Sequence, residues 1–451
     1  MPRSAPFAVL LLIALAGLAQ AQQKALVGGR LIDGYGGPPV ADSVVLVEDG
    51  RITEVGSVDT LAVPDGFETI STEGMDVLPG LWESHAHLML VGHADYVHWQ
   101  SEYGDRYGSE IMPAAAVQLL LAGVTSARDL GAPLEVSIDI RDSIASGEIP
   151  GPRLFVSGPF LQHEVEDWQT HYRWAVEGEK DARARVNRLA DAGVDMIKVI
   201  DQDKMTLAEA QAVVDAAHAR GLKVVAHAHR PDEIRRGLAI GVDNFEHTGL
   251  TTAPGYPEDV MRLLEERTAT GRVAGGPLFW TPTVEGLYGY TALVENPERL
   301  DNPCWHRGLA PDTVSDIRQS IANPGKLDYM QLHPLRAPTL KRKISQLKEA
   351  GVVFLVGTDS GVPMNFHCDS TWREMDGMVE IFGLAPMEVI RAATYWPAVI
   401  MGVDDELGTL EPGKAADIIA VRGDVLKHIN LLGNVDLVMK AGTVYKQDGQ
   451  P

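Results

Sequence analysis

The feature that most restricts the fold is a recurrence: short runs of Val, Ile, Leu and aromatic residues, bounded by Gly, Pro or Asp, alternate with helix-like stretches along most of the chain. The runs fall at 77–87, 123–130, 153–158, 194–200, 223–229, 244–248, 279–284 and 352–359. Between several of them, as at 181–192, 206–220 and 339–350, apolar residues return every three to four positions, the period of an amphipathic helix. Eight such strands with intervening helices predict an α/β chain whose residues 76–403 form a (β/α)8 TIM barrel. Hydrophobic residues make up 45% of the chain, enough to fill so large a core. Residues 22–75 and 404–451 read instead as short strands separated by turns, and the two ends are expected to pair into one small composite β-sandwich domain.

Residues 1–21 have the pattern of a signal peptide: Arg3, then an apolar run from Phe7 to Leu18, then Ala19-Gln20-Ala21 as an A-x-A cleavage site. The run is shorter than the roughly 20 residues a spanning helix needs, so no stable membrane anchor is expected. Cleavage after Ala21 would export the protein to the periplasm or the medium. Lys and Arg number 39 against 62 Asp and Glu, a net charge of -23, which argues against nucleic acid as a partner. Cys304 and Cys368 are too few for a disulfide framework; one bridge, permitted by export, and two buried thiols are both open.

The polar residues at the ends of the predicted strands carry the chemistry. His85 and His87 are two apart on the first strand, so both imidazoles can project from one face into the barrel mouth as metal ligands. Lys198 lies within VDMIKVI between apolar neighbours, where an isolated ammonium is costly. Two solutions stay open: a salt bridge to Asp201 or Asp203, or reaction with carbon dioxide to give a carbamate that bridges two cations. His227 and His229 share a face of the fifth strand, while His247 ends the sixth and Asp359 the eighth. The C-terminal ends of barrel strands are where this architecture places ligands and catalytic groups.

The set LPGLWESHAH, GVTSARDLG, VDMIKVI, VVAHAH, NFEHTG and VGTDSG, followed by MEVIRAATYWPAVIMGVDDELGTLEPGKAADIIAV, resembles the metal-dependent amidohydrolase superfamily. Within it the chain is similar to the imidazolonepropionase-related branch that contains Xaa-Pro dipeptidases and ochratoxin-hydrolysing amidases. The resemblance implies two divalent ions, with zinc first and cobalt or manganese also compatible. His85, His87 and Asp359 would hold one, His227 and His247 the other, and carboxylated Lys198 would bridge them; His229 is left to the outer shell or the substrate. It further implies hydrolysis of a small dipeptide or N-acyl amino acid by a metal-bridging hydroxide, with Asp359 as general acid and base.

Two segments depart from the family pattern where substrate would bind. GPFLQHEVEDWQTHYRW replaces a Gly-rich segment after the third strand and brings His163, Trp168, His171 and Tyr172, either as substrate contacts or as loop packing. Arg230 and Pro231 follow HAH where glycine is common; Arg230 either holds a substrate carboxylate or pairs with Asp232 or Glu233. The enzymatic alternative is a cyclic amide or lactone hydrolase at the same site, and the non-enzymatic one a catalytically inactive binding protein. A homo-oligomer is compatible with each of these readings.

Overall fold

In the chain's first barrel segment the expected run 77–87 is two strands, Met75–Pro79 and Leu81–Ala86, which belong to different sheets. Gly80 is the break. A Cβ there would stand 2.1 Å from Thr125 Oγ1, so only glycine lets the chain pass this close to the next strand. The computed structural model describes residues 23–451 except 250, 275, 287–288, 290–292, 294 and 323–331. The leader expected at residues 1–21 lies outside the described residues.

The eight expected barrel strands are present as Leu81–Ala86, Val124–Asp129, Arg153–Val156, Met196–Val199, Lys223–His227, Asn244–Glu246, Phe279–Thr281 and Val353–Phe354. All their pairings are parallel, in two sheets that follow chain order. Backbone hydrogen bonds span both gaps between the sheets: Asp195 N to Val156 O at 2.8 Å, and Ser84 N to Val356 O at 3.0 Å. The sheets thus fit a TIM-like barrel. Two short strands missed in the sequence, Phe160–Gln162 and Arg173–Ala175, extend the second sheet over the third loop. They have three residues each, too few for a visible alternation.

Each helical stretch singled out in the sequence lies mostly within a helix, at Gly178–Ala192, Leu207–Ala219 and His333–Glu349. The second starts at a capping box in which Thr206 and Glu209 satisfy each other's backbone N–H, and the first stops at Gly193 with φ +85°.

Alternation along the strands separates floor from mouth. Met196 and Val225 pack with Leu130 as an apolar floor. Two residues further along the same faces come Lys198 and His227, which the pleat must point the same way.

The chain ends build one connected eight-stranded sheet, in the order Thr443–Lys446, Leu437–Lys440, Ile418–Arg422, Met75–Pro79, Lys24–Leu31, Val40–Glu48 and Arg51–Ser57, with Glu68–Ser71 also on Lys24–Leu31. Strands from both chain ends thus meet in one connected sheet. Lys24–Leu31 joins it up by pairing along one edge with Glu68–Ser71 and then with Asp76 and Val77. Leu26, Val45, Val47, Val77, Ile418 and Met439 form the sheet's own core, while Leu78, Ile419 and Val438 belong to the large core that the sheet shares with the barrel.

Cys304 and Cys368 are disulfide-bonded, which settles the alternative left open by the sequence. No helix among the described residues is long and apolar enough to cross a membrane.

Candidate metal centre

His85, at the end of the first barrel strand, is wholly buried and donates through Nδ1 to Glu246 Oε2 at 2.7 Å. Glu246 is itself held by Arg128 at 2.9 Å, and Arg128 Nε donates to Ser84 O at 2.6 Å. This inner brace fixes the tautomer and turns Nε2 of His85 to the mouth, the arrangement seen behind metal-bound histidines. Neither Glu246 nor Arg128 stands out in the sequence by motif. Arg128 stands between Ala127 and Asp129 and Glu246 between Phe245 and His247, so no lone charge in an apolar run marks either.

Asp359 lies across from the pair, its Oδ1 at 3.4 Å from His85 Nε2 and 3.0 Å from His87 Nε2. On the other side the rings of His227, His229 and His247 pack with centroids 4.3 to 4.6 Å apart. His247 Nδ1 is 2.7 Å from Thr283 Oγ1, which leaves Nε2 for another partner. His85, His87 and Asp359, and separately His227, His229 and His247, bring donor atoms within 4.8 Å of one another, so each group could hold a metal ion. His229, assigned from the resemblance to an outer position, stands in the second group and stacks on His247. Asp359 and His247 have φ of 60° and 74°, a left-handed backbone uncommon outside glycine and concentrated at functional sites.

Lys198 is wholly buried, and its Nζ makes no hydrogen bond. The salt bridge to Asp201 or Asp203 does not form, because Arg230 takes both carboxylates at 2.8 Å. Burial lowers the Lys198 ammonium to about 8, with Glu246 and Asp359 opposing the shift. Burial first, and then the charge of Lys198, hold His85 and His227 well below the usual imidazole range and keep them neutral, as ligands must be. His85 Nε2, His87 Nδ1, His229 Nδ1, His247 Nε2 and Lys198 Nζ are all buried without a hydrogen-bond partner. Unpaired buried polar atoms are costly, and so many at one place fit a site built for cations.

Above this cluster opens a cavity of about 400 Å³, reached by Asp359, His87, His227, His229 and His247. Trp168 and Tyr172 line it with Phe160, as the sequence reading allowed. Two expected contacts do not. Arg230 is turned away and ion-paired to Asp201, Asp203 and Glu233, and it does not line the cavity. His163 faces a separate groove beside Glu164. The basic group in the cavity wall is Arg173, whose Nη1 donates to Gln162 Oε1 at 3.1 Å while its buried Nε has no partner. No pattern marks it: Arg173 follows the four candidates His163, Trp168, His171 and Tyr172 in a loop without periodicity.

Residues 77–445 match the model of the amidohydrolase family, and the chain belongs to that family. It is a hydrolase acting on carbon–nitrogen bonds, which sets aside the inactive binding protein. The chain is similar to an imidazolonepropionase of Micrococcus luteus, with 26% identity over 87% of this chain and 90% of the relative. Among solved structures, a Bifidobacterium longum protein assigned as a prolidase superposes with a TM-score of 0.70 at 26% identity, covering 95% of this chain and 96% of that one. The ochratoxinase of A. niger shares the fold, with a TM-score of 0.69 at 22% identity over 95% of this chain and 96% of that one.

Proposed function

We propose that the protein hydrolyses the amide bond of a small dipeptide or N-acyl amino acid at a binuclear centre, probed first with zinc. One observation carries the reading: buried imidazoles and the Lys198 ammonium, with five nitrogens that have no hydrogen-bond partner, gather under a cavity that Asp359 and Arg173 also line. His85, His87 and Asp359 would hold one ion, His227 and His247 the other, and carboxylated Lys198 would bridge them; the unpaired Nζ at an apolar strand supports that modification. When bound, the ions polarise the scissile carbonyl and bring a water's pKa towards neutrality. Asp359 takes the proton from the attacking water and delivers it to the leaving nitrogen. Arg173 replaces Arg230 as the group that would pair with a carboxylate on the leaving portion, since it is the arginine among the residues that line the cavity. Phe160, Trp168 and Tyr172 supply an apolar wall that favours hydrophobic substrates.

The imidazolonepropionase relative favours a second reading, opening of a cyclic amide at the same centre. A product-resolved assay over dipeptides, N-acyl amino acids, cyclic imides and lactones separates the two, and faster turnover of every ring than of any linear amide would reject the first. Metal analysis should find about two ions in the catalytic centre, and an active enzyme with one would reject the bridging lysine. The strand ends that hydrogen-bond across both sheet gaps support a closed ring of eight. Export is likewise proposed, supported by the leader pattern and by the bonded cysteines, which suit an oxidising compartment.

A further inference from the structure

Outside the cavity, the first strand-to-helix loop brings a second kind of histidine cluster together. His93 and His98, flanking the start of helix Tyr96–Tyr103, meet Asp316 of helix Pro311–Ile321. Their donor atoms lie within 4.8 Å of one another. Three groups converge on one carboxylate oxygen: His98 Nε2 at 2.8 Å, the Tyr103 hydroxyl at 3.0 Å and His93 Nε2 at 3.5 Å from Asp316 Oδ2. His98 and Tyr103 are accounted for as hydrogen bonds. His93 is not: it is 4% exposed, its Nε2 is buried without a hydrogen bond, and it points at an oxygen that already has two partners.

We infer that His93, His98 and Asp316 form a separate site for one divalent transition-metal ion of the zinc type. A cation shared by both Nε2 atoms and the carboxylate satisfies all three, which one proton cannot do. Tetrahedral bonds of about 2.1 Å put neighbouring donors roughly 3.4 Å apart. The two histidine–aspartate distances, 2.8 and 3.5 Å, lie within a small side-chain adjustment of that spacing. The outer groups suit it as well. His93 Nδ1 stands 3.1 Å from Asp95 O and 3.0 Å from Asp95 N, so the loop backbone holds the ring with Nε2 turned towards Asp316. The ring of His93 also packs against His98 and Trp99, with centroids 5.4 Å away in each case.

The site's position gives it a task. Tyr96 and Gln100, on the same helix as His98, line the substrate cavity, whereas Asp316 sits on a helix inserted between the seventh and eighth barrel strands. An ion here would clamp one wall of the cavity to the inserted helix. The two helices are tied without it through Ala94 N to Ser320 Oγ at 3.0 Å and Arg106 Nη1 to Asp312 at 2.9 Å, so loss of the ion leaves the fold intact.

The test compares the full-length protein with His98→Ala, chosen because His98 is 43% exposed, and with Asp316→Asn. Each is loaded with Zn2+, dialysed and assayed for metal by mass spectrometry, then reloaded with Co2+ for its visible spectrum. The wild type should hold about one equivalent more than either variant and show a cobalt band that both lack, while amide hydrolysis persists in all three. Because only the difference is read, the result does not depend on how many ions the catalytic centre holds. Equal metal content and identical cobalt spectra would overturn the site. Loss of the ion together with hydrolysis in both variants would also overturn it, by assigning that ion to the catalytic centre.

Discussion

Around Asp76, in the sheet made by the chain ends, a carboxylate only 1% exposed has both oxygens occupied. Arg30 donates to it twice at 2.7 Å, and Val425 N donates at 2.8 Å. At the barrel mouth the reverse holds: four imidazole nitrogens and the Lys198 ammonium are buried with nothing to bond. Both regions bury polar groups inside strands, so burial alone does not mark function. The difference is whether the partners come from the chain itself. A network closed on itself contributes stability, whereas one left open reserves its free energy for something that arrives later.

The largest expected effect tests the open network. Asp359→Asn should lower kcat by about 10³-fold or more, since it removes a proton carrier and a ligand together. Asparagine tolerates the positive φ at this position, so the melting temperature should stay close to that of the wild type. A variant of near-normal rate would remove the contrast altogether. The mirror experiment is Asp76→Ala, which leaves the buried Val425 N–H without its acceptor while Arg30 keeps Asp424. It should cost about 2 kcal/mol in urea unfolding, with kcat/KM unchanged once folded. Lost activity at full stability would mean that the end sheet reaches the chemistry.

Arg173→Met sharpens the comparison inside the mouth. If Arg173 pairs with the substrate's carboxylate, kcat/KM should fall by about 2 kcal/mol for free acids and little for the matching amides. Equal losses would make it a wall residue only. The smallest effect belongs to His218 on the outer face, which donates to Asp243 at 2.9 Å. That bond raises the His218 pKa, so its contribution is fully present below about pH 6.5 and is lost as pH rises through the folded-state value. With His218 43% exposed, solvent screening limits the contribution to about 0.5 kcal/mol. His218→Gln should therefore lower the melting temperature slightly at pH 6 and not at pH 9; a larger loss at pH 9 would reverse the assignment.

The same division decides what was legible in the sequence. His85, His87, His227, His247 and Asp359 stand out because each closes a visible apolar run, and period two puts His85 and His87 on one face. Lys198 was legible as a cost, a charge without neighbours, although the aspartates suggested as its partners are held by Arg230. Arg173 and the brace from Arg128 through Glu246 to His85 were hidden for different reasons. The first depends on two three-residue strands with no pattern, and the second on side chains brought across the barrel from strands more than a hundred residues apart. Arg230 shows the converse error: its place after HAH was read correctly, but the direction of a long side chain is set by carboxylates on a neighbouring loop. The break at Gly80 is a further case: Pro79-Gly80 interrupts the apolar run, but the dipeptide does not tell that the two sides join different sheets.

The bond between Cys304 and Cys368 has a bearing on how the protein survives proteases. It closes a ring with a sequence separation of 64, and Asp359 lies inside that ring whereas His85, His87, His227 and His247 lie before it. A single backbone cut between Cys304 and Asp359 would place the aspartate on one polypeptide and the histidines on another, with one sulfur–sulfur link joining them. Such a clipped molecule would run as one species on a gel without reductant and as two with it. Thiols, harmless to the intact chain's continuity, would then sever the only covalent tie between the two halves of its centre.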